Sequence, residues 1–243
     1  MTQIILSFLP PLVALIGACI VLALGWRTPL WTVSVALPLY GVLYLIVLAF
    51  TPNRWLRAKA TAPATITQAQ PTTAVVLGFG YERVGDAVRP GVSNQFLIDW
   101  VVAHYPQIHT FYVQEGTLAA FSPDLRRRKA VHRIHAHDPT IYIDTFDATF
   151  CAIQKLEEAM IESVLLVAHD LQLQRAAWDF TRIRRHRGTR CVLLIPALPP
   201  TPWSACSVHL QTRYAPLYKV GELLYLRPRD LLHPMPADCK RPI

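Results

Sequence analysis

Apolar positions are distributed unevenly along the chain, and the longest apolar runs lie in the first fifty residues. One run extends from Ile4 to Trp26 and a second from Leu30 to Phe50, with Arg27 as the only charged side chain between Met1 and Phe50. A helix rises about 1.5 Å per residue, so each run is long enough to cross about 30 Å of hydrocarbon. The pattern predicts a transmembrane hairpin of two helices over residues 1–51.

The charges beside these runs predict their orientation. Arg54, Arg57 and Lys59 follow the second run, whereas Arg27 alone lies between the two. Basic residues are retained on the cytoplasmic side, so the hairpin is expected in the cell (inner) membrane with both chain termini in the cytoplasm. The margin is a few charges, and a periplasmic soluble domain stays open. The five cysteines show no paired spacing, and unpaired thiols fit a reducing compartment.

Beyond the anchor, the pattern changes to short apolar runs that alternate with longer amphipathic ones. Residues 52–72 form a basic juxtamembrane segment and a linker, residues 73–232 a single domain, and residues 233–243 a tail. Strands are predicted at 74–77, 109–113, 140–143, 164–168 and 191–195, with helices at 92–104, after 122–123, at 145–160, at 171–184 and within 213–226. Five such alternations predict an α/β fold with a doubly wound, Rossmann-like parallel sheet.

Ligands in this fold bind beyond the carboxyl ends of the strands, so the residues that follow each predicted strand are the candidates for a site. His169, Asp144 and Glu115 could transfer protons, and His169 would titrate near neutral pH. Arg175 lies on the first turns of a helix, where backbone N–H groups favour an anion. The residues predicted to bind a ligand are Gly78, Gly80, Glu82, Thr145, Gln172 and Arg175.

Plainer interpretations of these residues stay open. Gly78 and Gly80 could only turn the chain, Asp144 or Thr145 could cap a helix, and Arg175 could form a surface ion pair. Arg83 stands where a GxGxxG fingerprint would have its third glycine, which argues against a standard dinucleotide site. No cofactor can be assigned from the sequence.

Two further groups of polar residues stand out in the sequence. His132, His135, His137 and Asp138 precede the predicted third strand, at the amino end of the sheet, so no metal site is predicted. The basic clusters are 126–129 and Arg182, Arg184, Arg185, Arg187 and Arg190. Without interleaved aromatic residues they argue against nucleic acid, and they favour a solvated face or contact with anionic lipid headgroups of the bilayer.

The motifs together resemble the YdcF/SanA/ElyC-type family of bacterial proteins, over residues 73–226. The resemblance rests on Leu77-Gly78-Phe79-Gly80, on the hydroxyl-rich turn at 145–149, and on an apolar strand that runs into His169 and Arg175-Ala176. This sequence has Gln172 where that family usually has histidine. The resemblance implies a role in cell-envelope biogenesis without defining a reaction.

Two functions follow as hypotheses. In the first, the tethered α/β domain binds a small anionic or nucleotide-like ligand, and whether it is an enzyme stays undecided. In the second, the protein is a non-catalytic membrane scaffold or regulatory protein that docks protein partners through its basic faces. Convergence of Glu82, Asp144, His169 and Arg175 on one site would favour the first function.

Overall fold

The computed structural model describes residues 41–42, 60–61, 71–85, 87–135, 144–207, 209 and 212–222. The two predicted membrane spans therefore lie outside the described residues, apart from Gly41 and Val42, which are helical. In the part of the chain that is described, no helix has the length and apolar character needed to cross a bilayer. The strand predicted at 140–143 also lies outside the described residues.

Thirteen secondary-structure elements lie in the described residues. In chain order they are β1 (Thr73–Val76), β2 (Tyr81–Val84), β3 (Ala87–Pro90), α1 (Val92–His104), β4 (Thr110–Val113), α2 (Glu115–Leu118), α3 (Pro123–Arg128), β5 (Ala130–Arg133), α4 (Thr145–Glu158), β6 (Ser163–Val167), α5 (Leu173–Arg187), β7 (Val192–Leu194) and α6 (Ala215–Gly221). The predicted alternation of strands and helices is thus confirmed as an α/β fold.

Five of the strands form one parallel sheet in the spatial order β5-β4-β1-β6-β7. The chain leaves β1 toward β4 on one side and returns to β6 on the other. Strand order therefore reverses between β1 and β6, and such switch points open a crevice beyond the carboxyl ends of the strands. The residues that follow β1 and β6 are therefore the ones that would line such a crevice.

The core lies on both faces of the sheet, because successive side chains of a strand point in opposite directions. On β1, Val75 packs with the apolar faces of α4 and α5, whereas Ala74 and Val76 pack with α1. All three side chains are fully buried. Burial on both sides explains why β1 and β6, after Thr73 and Ser163 at their starts, are continuously apolar rather than alternating.

Local capping fixes where two of the helices begin. Ser122 Oγ accepts a hydrogen bond from the Leu125 N–H ahead of α3, with Pro123 in its first turn. Asp144 Oδ1 accepts from the Asp147 N–H at 2.9 Å ahead of α4. Both helix starts were predicted from these residue types, and both are confirmed.

Two features of the sheet region were not predicted from the sequence. The segment after β1 folds into the antiparallel hairpin β2–β3, which turns at Gly85. Strand β5 pairs with β4 and contains His132, so the predicted position of His132 and His135 at the amino end of the sheet is wrong, whereas the strand predicted at 140–143 lies outside the described residues. His132 lies within β5 and stacks on Tyr112, with ring centroids 5.2 Å apart, and His135 follows the carboxyl end of the strand.

The chain divides into two compact units. One comprises Pro52–Tyr214 and His233–Ile243 and contains the whole sheet, and the other comprises Met1–Thr51 and Ala215–Leu232 and contains α6. Within the first unit, Thr61 is bonded to the residue after β7: its N–H donates to Ile195 O at 2.8 Å, and its Oγ1 accepts from the Ile195 N–H at 2.7 Å. The amino end of the predicted linker is therefore fixed to the edge of the sheet.

Candidate functional site

Three buried polar side chains meet between the start of α4 and the start of α5. Gln172 Nε2 donates to Thr145 Oγ1 at 2.7 Å, and Arg175 Nη2 donates to the same oxygen at 2.9 Å. All three side chains are buried, with Gln172 and Arg175 each 4% exposed. Three of the predicted ligand-binding residues are thus in contact, although they come from segments about thirty residues apart. We call Thr145, Gln172 and Arg175 the polar cluster.

The carboxylate beside the polar cluster has a local role. Asp144 is largely buried and caps α4 through its bond to the Asp147 N–H. The alternative interpretation of Asp144 as a helix cap is therefore confirmed. A capping carboxylate adds negative charge at the amino end of a helix, where the helix dipole stabilises it.

The backbone donors ahead of α5 are not open to a ligand as the sequence suggested. All four N–H groups of residues 170–173 already have acceptors within the protein. The Asp170 N–H donates to Thr201 Oγ1, the Leu171 N–H to His169 Nδ1, and the N–H groups of Gln172 and Leu173 to the His169 carbonyl. These four backbone donors are therefore not what an anion at this end of α5 would bind, and the Arg175 side chain is a cation in the same region.

His169 is completely buried and lies among aromatic rings. Its ring stacks on Phe79, with centroids 3.8 Å apart, and lies 4.6 Å from the Trp203 ring. Its Nδ1 is 3.1 Å from Asp170 Oδ1 and 3.3 Å from the Leu171 nitrogen, so it can donate to the carboxylate or accept from the amide, but not both at once. His169 thus joins the loop after β1 to the loop after β6, and its predicted proton transfer stays a prediction.

The glycines after β1 are surrounded by protein atoms. A Cβ on Gly78 would lie 3.2 Å from Thr117 Oγ1. Gly80 has φ +69°, and a Cβ there would lie 2.3 Å from Ser207 Oγ and 2.5 Å from Thr212 Oγ1. Gly80 is therefore required both by its left-handed backbone and by the loop that packs against it.

Asn94, in the first turn of α1, holds the same loop by both ends of its amide. Its Oδ1 accepts from the Phe79 N–H at 2.8 Å, and its Nδ2 donates to Gly80 O at 2.6 Å. The side chain is fully buried. The loop after β1 is thus bonded directly to α1.

Two of the predicted site residues have partners outside the polar cluster. Glu82, on β2, accepts a hydrogen bond from Ser204 Oγ at 2.7 Å. Glu115, at the start of α2, forms an ion pair with Arg133 at the end of β5, with 3.1 Å between Arg133 Nε and Glu115 Oε2. Of the four residues whose convergence would favour ligand binding, only Arg175 belongs to the polar cluster. Asp144 caps α4, His169 stacks on Phe79, and Glu82 bonds to Ser204.

The loop after β7 supplies contacts that sequence reasoning missed. Thr201 and Asp170 exchange two hydrogen bonds, Trp203 packs on His169, and Ser204 bonds to Glu82. The loop carries no recognisable motif. The one available signal was its position after the fifth predicted strand, where the same carboxyl-end rule applies.

The first basic cluster is largely bonded within the domain. Arg126 donates to the backbone carbonyls of residues 118 and 121, and Lys129 to those of residues 106 and 108. Arg127 pairs with Asp124. These side chains tie α3 to its neighbours, and Arg128 is exposed.

The second basic cluster is bonded in a similar way. Arg184 donates to Cys191 O at 2.8 Å, and Arg187 pairs with Glu157 at 2.7 Å. Arg182 lies over an aromatic ring of α4, 5.6 Å from its centroid. These contacts hold the carboxyl half of α5 against α4 and β7, while Arg185 and Arg190 are exposed.

Within the described residues no three His, Cys, Asp or Glu side chains are placed to share a metal ion, whereas His137 and Asp138 lie outside them. Cys151 is disulfide-bonded, whereas Cys191 and Cys206 are free. The expectation of unpaired thiols is therefore wrong for Cys151.

No family model, no curated protein and no solved structure matches this chain. The structure itself describes an α/β protein with a five-stranded parallel sheet and a buried polar cluster near its topological switch point.

Proposed function

We propose that the α/β domain binds a small anionic or nucleotide-like ligand through the polar cluster, near the switch point between β1 and β6. The observation that carries this proposal is that Arg175 and Gln172 both donate to Thr145 Oγ1, at 2.9 and 2.7 Å. In this proposal Arg175 holds the anionic group, and Thr145 positions the guanidinium.

Burial makes the guanidinium a strong anion-binding group. A charge in a protein interior interacts more strongly with an opposite charge than it does in water, because less solvent screens the pair. Guanidinium groups also match carboxylate and phosphate oxygens in a planar, two-pronged geometry. A buried arginine at a switch point therefore supports an anion such as a phosphate or carboxylate.

The scaffold hypothesis has less support. It depended on basic faces that are open to partners, but Arg126, Lys129, Arg184 and Arg187 all have acceptors within the domain. With the predicted hairpin anchor, we propose that the ligand-binding domain is held at the cell membrane. The resemblance described above supports a role in the cell envelope.

The test is ligand-induced stabilisation of the purified full chain in detergent. At a ligand concentration of one hundred times Kd, binding stabilises the native state by about 2.7 kcal/mol, which raises Tm by about 5–10 °C for a domain of this size. Phosphate, sulfate, acetate and AMP serve as probes. Arg175→Met should weaken binding by about 10- to 150-fold, because a charge-assisted hydrogen bond is lost.

The matched control is Arg185→Met, on the exposed face of the same helix. It should bind each probe as the unmodified protein does. Each variant is compared with its own ligand-free Tm, and Arg175→Lys serves if Arg175→Met does not fold. Equal shifts in the Arg175 and Arg185 variants, or no shift with any anion, would refute the proposal.

A further inference from the structure

Gln172 offers a hydrogen-bond acceptor with no partner among the described residues. Its Nε2 is bonded to Thr145 Oγ1, but its Oε1 is buried and makes no hydrogen bond there. Gln172 is also the N-cap residue of α5, and its side chain makes no capping bond. The amide oxygen therefore has no structural role that the described contacts account for.

A buried acceptor of this kind is unusual, because nearly all buried polar groups find a partner. The Gln172 amide and the Arg175 guanidinium both donate to the Thr145 hydroxyl, so the two side chains lie side by side in the polar cluster. A group that reaches both residues meets a cation, which requires an acceptor, and an amide oxygen, which requires a donor.

We infer that the ligand carries a hydrogen-bond donor on or directly beside its anionic group, and that Gln172 Oε1 accepts from it. This inference rests on the proposed function and narrows its ligand class. Hydrogen phosphate and hydroxyl-bearing phosphate esters have such a donor. Sulfate has the same shape and the same double charge as hydrogen phosphate, but it has no proton to donate.

The expected selectivity follows from the burial of the acceptor. Sulfate would leave Gln172 Oε1 without a partner in a site from which water is excluded, and hydrogen phosphate would satisfy it. Leaving one buried acceptor unpaired corresponds to about a 10- to 100-fold loss in affinity. Gln172 is therefore a specificity-determining residue of the proposed site.

Titration calorimetry tests the predicted selectivity. The full chain in detergent is titrated with sodium phosphate and with sodium sulfate at equal ionic strength and about pH 8. Phosphate should bind about 10- to 100-fold more tightly than sulfate. Gln172→Met, which replaces the amide with an apolar side chain of similar length, should bring phosphate affinity down to that of sulfate. Gln174→Met, on the same helix, is the control and should keep the preference. If Gln172→Met does not fold, Gln172→Asn withdraws the amide by one carbon and should reduce the preference.

The outcomes separate the two proposals. Equal affinity for both ions, still dependent on Arg175, overturns the inference about Gln172 and leaves the proposed function standing. A preference that survives Gln172→Met also overturns it. Absence of any Arg175-dependent binding refutes the proposed function, and the inference with it.

Discussion

Gln172 and Arg175 both donate to the hydroxyl of Thr145. Removing this one oxygen should therefore lower the free energy of unfolding by more than the loss of a single hydrogen bond would. Thr145→Val keeps the shape and the β-branch of the side chain but removes the oxygen. Gln172 Nε2 and Arg175 Nη2 then lose the acceptor that they share at 2.7 and 2.9 Å. The perturbation is therefore electrostatic rather than steric.

The magnitude follows from the two donors. An unsatisfied buried neutral donor costs about 1–3 kcal/mol, and a charged one more, so we expect a loss of about 2–4 kcal/mol in the free energy of unfolding. Thr149→Val is the matched control one turn later in α4, where the fully buried hydroxyl only donates to Thr145 O at 2.7 Å. Its loss should be about 0.5–1.5 kcal/mol.

Urea unfolding of the full chain, read by pulse proteolysis, measures both variants. With an m-value of about 2 kcal/mol/M, Thr145→Val should lower the midpoint by about 1–2 M. Arg175→Met combined with Thr145→Val should be less destabilising than the sum of the two single changes, because replacing both partners of a buried bond is nearly neutral. A midpoint for Thr145→Val no lower than that for Thr149→Val would refute this account of the cluster.

Two further predictions concern other parts of the domain. Gly80→Ala should be far more destabilising than Gly85→Ala in the same urea assay: both glycines have positive φ, but a Cβ at Gly80 meets Ser207 at 2.3 Å and one at Gly85 meets nothing within 4 Å. The left-handed backbone alone accounts for about 1–2 kcal/mol at Gly85, and similar losses at both positions would show that the loop against Gly80 gives way. Burial raises the pKa of the Cys191 thiol to about 11, with Arg184 opposing the shift, whereas Cys206 is exposed. Since the thiolate is the reactive form, iodoacetamide should label Cys206 and spare Cys191 until the pH approaches 11. Mass spectrometry of the labelled peptides measures this, and equal labelling of both cysteines at neutral pH would contradict the prediction.

The sequence predicts the buried strands because their apolar runs have one explanation. After their first residues, Thr73 and Ser163, β1 and β6 are apolar at every position because both faces are covered, and the length of each run matches a strand. β5 and the β2–β3 hairpin are exposed and mixed in composition, with little apolar signal of their own. β5 is a strand because its backbone pairs with β4, and this pairing depends on the tertiary fold rather than on the local sequence.

The site could be predicted in part for a similar reason. The carboxyl-end rule points to the loops that carry Thr145, Gln172 and Arg175, and the structure brings these three side chains into contact. The rule does not tell where each side chain points, so it did not foresee the pairing of Glu115 with Arg133 or the bond between Glu82 and Ser204. Those choices depend on which partner the fold places within reach.

The amide of Asn94 bonds to the loop after β1 as a backbone peptide group would, with its oxygen accepting and its nitrogen donating, and so links the loop to helix α1. Aspartate has the same shape but cannot donate to Gly80 O, so it could satisfy only one of the two bonds. Because the Phe79 N–H is bonded to this helix rather than to solvent, its hydrogen exchange should be as slow as that of α1 itself. The loop after β1 would then open only together with α1.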